Sequence, residues 1–169
     1  MQELGPPPDG AWQGLSAADT LRGLLLHRKD QSKRAVQFKT DFKLSDALFY
    51  HVKVRALASR AEATAGDDWS ALWAFANERK SPIGYRPFVD ACLAAGKKLE
   101  ARRYAAKIDD YDEKVEMLVQ LGAFSDAAEL ALKQKDLRRL QSMAELSAEL
   151  TPAAQDIIEK AIASLSKRR

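Results

Sequence analysis

The side chains able to do chemistry in this sequence are few and scattered. Histidine occurs twice, at His27 and His51, and cysteine once, at Cys92. A Ser–His or Cys–His nucleophilic pair would have to use one of these imidazoles with no third group to support it. Cys92 lies beside Val89 and Leu93 on the apolar side of a helical stretch, which predicts a buried thiol and not a nucleophile. Asp109, Asp110 and Asp112 form a short acidic cluster, but the glycine and terminal bidentate glutamate of a calcium loop are missing. Such carboxylates suit the positive end of a helix dipole. No glycine-rich phosphate loop and no metal-ligand spacing occurs. The sequence therefore predicts no catalytic centre, no metal and no cofactor, and its single cysteine excludes an internal disulfide.

What remains is a surface of cations and aromatics. Lys97, Lys98, Arg102, Arg103 and Lys107 fall in one helical stretch, and Lys167, Arg168 and Arg169 end the sequence. Direct binding to an anionic membrane is one reading of these residues. Against it, Glu100 and the carboxylates of 109–113 dilute the first cluster, and no interleaved aromatics mark a stacking platform for bases. The net charge of +3, from 27 Lys+Arg against 24 Asp+Glu, is too small to imply a nucleic-acid partner. A solvated or protein-docking face is preferred. Trp69, Trp73 and Phe75 read as core at helical spacing. The loop KSPIGYRPF, residues 80–88, is different: Pro82 and Pro87 fix their own φ and restrict the residues before them, and Gly84 supplies the one free bend. A stiff loop presenting Tyr85 and Arg86 loses little entropy on docking, as an interface anchor must. Alternatively, Tyr85 and Phe88 staple two helical repeats together.

The elements that would position these residues are helical throughout. With 46% hydrophobic and 30% charged residues the chain is that of a folded protein. No apolar run approaches the roughly 18 residues that span a bilayer, and no signal pattern opens the sequence, so a cytosolic chain is expected. The Pro/Gly-rich start makes residues 1–15 a flexible lead-in to a domain over 16–169. Ser16 with Asp19 forms a capping box before Leu21, Leu24 and Leu25. After the basic stretch RKDQSKR, Ser45 caps a helix bearing Leu48, Phe49, Val52 and Ala56, which Gly66 closes before Asp67–Asp68 open the next. Further helices are predicted near 87–95, 97–108, 112–121, 124–135 and 137–148, with Gly96 and Gly122 as C-caps and Thr151-Pro152 opening the last.

These helices repeat. WSALWAFA (69–76), KLEARRYA (98–105) and FSDAAELA (124–131) align without gaps, their starts 29 and 26 residues apart. A large residue at the seventh position, Phe75, Tyr104 or Leu130, is followed each time by alanine. FVDACLAAG (88–96) and KVEMLVQLG (114–122) match likewise. Helical hairpins of this kind bury little alone and gain stability by stacking, which predicts an all-α fold, an α-solenoid of antiparallel hairpins.

The stretches KSPIGYRPFVDACLAAGKKLEARRYAAKI and EKVEMLVQLGAFSDAAELALKQKD, with FKTDFKLSDALFYHVKVRALA upstream, closely resemble the C-terminal domain of the vacuolar protein sorting-associated protein 16 family, over about residues 17–140. Members are core subunits of the HOPS and CORVET tethering complexes, with a β-propeller ahead of an α-solenoid. The resemblance implies a non-catalytic module that recruits the Sec1/Munc18-type subunit of the complex, among its other subunits. It would thereby support SNARE-mediated fusion at late endosome and vacuole or lysosome membranes, from the cytoplasmic side and without direct membrane contact. By the same analogy the docking surface falls between about 42 and 110, with Leu44, Tyr50, Lys53, Tyr85, Arg86, Arg103 and Lys107 as its exposed large or charged residues. At Lys107 the family pattern suggests arginine, whose bidentate contact a lysine cannot reproduce.

Overall fold

The computed structural model describes residues 15–26, 31–64, 69–146 and 151–167. All regular structure among them is α-helical, as the periodicity predicts. The chain divides into two compact units, 1–96 and 97–169. The first contains α1 (Ala17–Leu26), α2 (Gln31–Asp41), α3 (Asp46–Ala63), α4 (Ser70–Glu78) and α5 (Arg86–Ala94). The second contains α6 (Lys98–Ala105), α7 (Tyr111–Gln120), α8 (Phe124–Lys133), α9 (Leu137–Glu145) and α10 (Pro152–Ser166).

Polar side chains start these helices where the sequence places them. The Ser16 hydroxyl accepts from the Asp19 amide and donates to its carboxylate at 2.6 Å. Ser45, Asp110 and Thr151 each accept an amide three residues on, from Leu48, Glu113 and Ala154. Asp110 thus spends its carboxylate on a helix N-terminus, as the dipole argument expects, and each such cap contributes about 1 kcal/mol. The predicted closing role of Gly66 and the opening role of Asp67 and Asp68 fall outside the described residues, as do His27, Arg168 and Arg169.

Helix ends rest on left-handed residues. Gly96 and Gly122 both have φ of 72°, with open space around an added Cβ. The amide of Ala123 reaches back to the Leu118 carbonyl at 2.8 Å, and that of Asp136 to Ala131 at 2.9 Å. The second closure has Lys135, at φ 57°, where the first has glycine. Lysine in this conformation carries backbone strain that glycine does not. Lys135→Gly is therefore expected to raise stability by about 0.5–1 kcal/mol, and Gly122→Ala to lower it by a similar amount. Urea denaturation of the two variants checks both signs.

The repeat register reappears in the packing. Its fourth and eighth positions are buried in all three copies, at Leu72 and Ala76, Ala101 and Ala105, and Ala127 and Ala131. The seventh position is buried at Phe75 and Tyr104 and half-buried at Leu130. In the first unit α3 is central and packs on α1, α4 and α5. In the second, α8 packs on α7, α9 and α10. Cys92 is fully buried, matching the structural reading of its thiol.

Helix α2 is an element that the sequence reading left unassigned, passing over RKDQSKR and VQFKTDFK without a helix. Its 11 residues are mostly polar, and the faint apolar face of Ala35 and Phe38 is its signal. The twelve predicted helical positions 97–108 shorten to eight in α6, because the chain turns at Ala106 and Lys107 to bury Ile108.

In the second unit, the Tyr111 hydroxyl donates to Asp136 at 3.0 Å. Burial, then this carboxylate, pushes the phenol up to about 12 from its ordinary 10.0. Because the folded value lies above the unfolded one, the stabilisation is complete below pH 10 and is lost as pH rises toward 12. Subtracting the tyrosinate absorbance titration of Tyr111→Phe from that of the parent should isolate a phenol that ionises near pH 12. A component centred at its ordinary value would contradict the packing.

Candidate functional site

The stiff loop between α4 and α5 is built from its own backbone. The Ser81 hydroxyl, inside the fold, accepts from the Ile83 amide at 3.3 Å, and the Gly84 amide reaches the Ser81 carbonyl at 3.4 Å. Gly84 turns the chain at φ 67°, and Pro87 sits in the first turn of α5, where a missing amide costs nothing. The loop delivers Phe88 into the core and leaves Tyr85 half-buried and Arg86 exposed.

A chain of rings runs behind this loop. Tyr50 and Phe75 lie 4.6 Å apart between centroids, Phe75 and Phe88 6.2 Å, and Phe88 and Tyr85 5.8 Å. Phe88 joins α5 to α4 through Phe75, as the stapling alternative expects of it. Cations sit on the rings. The Lys53 ammonium lies 3.9 Å from the Phe75 centroid, and that of Lys39 lies 5.4 Å from Phe49. Burial pushes the Lys53 ammonium below its ordinary value, so the ring faces offset part of its desolvation. Arg79 donates through Nε to the Tyr50 hydroxyl at 2.7 Å and approaches Asp46 at 3.4 Å. Lys39 also pairs with Asp46, and its ammonium, more than Arg79, holds that carboxyl below the usual range.

Of the residues singled out in sequence, Tyr50, Lys53 and Tyr85 meet in this row of rings, and Arg86 follows Tyr85 at the start of α5. Tyr50 requires a correction: it is only 2% exposed, between Phe75 and Arg79, and not the surface residue expected. Its spacing from Phe49 and Val54 on α3 turns it inward, and its hydroxyl positions Arg79 at the rim. Leu44 is half-buried, just after Lys43 at φ 51°, and its amide closes α2 on the Lys39 carbonyl at 2.9 Å. Arg103 and Lys107 belong to the second unit. Arg103 is exposed and pairs with Glu100 at 2.8 Å, while Lys107 is half-buried in the turn after α6. Sequence reasoning missed Lys39 and Arg79; the only signal for Arg79 is its place immediately before the loop. Among the described residues no helix is long and apolar enough to cross a membrane.

The family described as Vps16, C-terminal region, matches residues 2–166. The chain belongs to this family. Among curated proteins it is similar to the vacuolar protein sorting-associated protein 16 homolog of Dictyostelium discoideum, 37% identical over 128 residues, which is 76% of this chain and 14% of that protein. It is 36% identical over 121 residues to Protein VACUOLELESS1 of Arabidopsis thaliana, covering 72% of this chain and 13% of that protein. With vacuolar protein sorting-associated protein 16 of Saccharomyces cerevisiae it shares 36% over 115 residues, 67% of this chain and 14% of the yeast protein. The chain thus spans about one-seventh of the length of these Vps16-family relatives.

Proposed function

We propose that this Vps16 C-terminal region is a non-catalytic docking module for the Sec1/Munc18-type subunit of a HOPS or CORVET tethering complex. Through that subunit it supports vacuolar protein sorting and SNARE-mediated fusion of endosomes with the vacuole or lysosome. The relatives' names point to vacuolar protein sorting, and each of the two compact helical units offers a folded surface for such a role. One observation carries the docking reading: in the first unit Lys53 and Tyr85 lie against a packed row of rings, and exposed Arg86 follows Tyr85 at the start of α5. Pre-positioned aromatic and basic side chains lose little entropy on binding, and they are the residue types that anchor protein interfaces. On α6, Arg102 and Arg103 already bond Asp126 and Glu100, which leaves less free charge for a lipid surface.

The reading predicts a one-to-one complex with the purified Sec1/Munc18-type subunit from the same organism, seen as co-elution in gel filtration. Its buried surface should be on the order of 1,600 Å². Failure to co-elute at micromolar concentrations, with both proteins folded, would sink it.

A further inference from the structure

Helix α3 has a second working side. His51, Arg55, Ala58, Ser59 and Glu62 form the floor of a groove of about 650 Å³. Ala18 and Arg22 of α1 contribute one wall, and Asp90, Ala91 and Ala94 of α5 the other. Lys53 is two residues from both His51 and Arg55, about 200° around the helix, so the groove and the ring-backed surface face opposite ways. Among the described residues, none of Arg22, His51, Arg55, Glu62 or Asp90 is engaged by a hydrogen bond or ion pair.

Small residues on both walls, Ala18 on one and Ala91 and Ala94 on the other, leave room above the α3 floor for a rod. Arg22 on one wall and Asp90 on the other carry opposite charges, and Arg55 and Glu62 give the floor its polarity. His51 and Arg55 occupy one end of the floor and Glu62 the other, two turns or about 10 Å along α3 from Arg55. A helix laid antiparallel to α3 brings its positive N-terminal end to Glu62 and its negative C-terminal end to Arg55 and His51. We propose that this groove takes an amphipathic α-helix of a partner protein, antiparallel to α3. That helix carries Lys or Arg against Glu62, Asp or Glu seven residues later against Arg55, and small side chains between them against the alanines. The assignment is independent of the docking function proposed above.

Two synthetic helical peptides of identical composition test it by fluorescence anisotropy on the whole chain. One carries lysine then glutamate seven residues on, and the other carries the reverse order. The lysine-first peptide is expected to bind about tenfold tighter, a scale set by closely matched against mismatched charges. Exchanging the floor charges with Arg55→Glu and Glu62→Arg together should invert that preference, and Ala91→Trp should abolish binding of both peptides while the helical circular dichroism stays intact. Binding of neither peptide, a preference for the reverse order, or a preference that survives the exchange overturns the proposal. Self-association lost in Ala91→Trp, or tighter peptide binding after removal of residues 1–14, would overturn it too. The groove would then belong to a second copy or to the chain's own N-terminal residues.

Discussion

Replacing Phe88 with alanine should destabilise the first unit by about 3–5 kcal/mol, the range for deleting a fully buried aromatic ring. The side chain has 0% exposure and packs between Phe75 and Tyr85, so no solvent or flexible neighbour can fill the space it leaves. Part of the loss is transfer of the ring to a less apolar setting, and part is the cavity left between α4 and α5. Against a typical stability of about 5–15 kcal/mol, this is a large fraction of the total. Thermal denaturation followed by circular dichroism should show a fall on the order of 10 °C. A loss below about 1 kcal/mol would mean the site collapses freely and that Phe88 does not staple the two helices. Tyr85 loses its ring contact in the same variant, so partner docking should weaken along with stability.

The loop's backbone chemistry was legible because prolines and glycine act locally. Pro87 at the start of α5 and Gly84 at positive φ follow from residue type alone. The buried register of α4, α6 and α8 was legible because the repeat states the same answer three times, and small residues at fixed places leave few other packings. Where the reading fell short, the cause was tertiary. Helix α2 is written in residues with weak local preference, and only the burial of Ala35 and the closing turn at Lys43 define it. Tyr50 has the composition of a surface anchor, but one helical step turns it toward Phe75. The Phe75 partner of Lys53 and the Tyr50 partner of Arg79 lie on another helix, so no spacing within one helix announces them. Lys135 in a position of glycine geometry was equally silent, since lysine gives no warning of positive φ.

Arg86→Glu should separate binding from folding, with a large loss of the first and little change in the second. Arg86 opens α5, where a cation meets the positive end of the helix dipole. Glutamate there suits the dipole, which offsets the loss of the arginine's own contacts, and the variant should stay within about 1 kcal/mol of the parent. If Arg86 anchors the Sec1/Munc18-type subunit, reversing its charge should cost about 2 kcal/mol or more of binding, roughly thirtyfold in Kd. Isothermal titration calorimetry measures the affinity, and urea denaturation the stability. The control is Arg55→Glu, on the far side of α3 from Lys53, which should leave this affinity unchanged. Equal binding by parent and Arg86→Glu would remove the loop from the interface. Loss of binding in Arg55→Glu instead would move the docking of that subunit to the groove, because Arg55 lines the groove on the side of α3 away from Lys53.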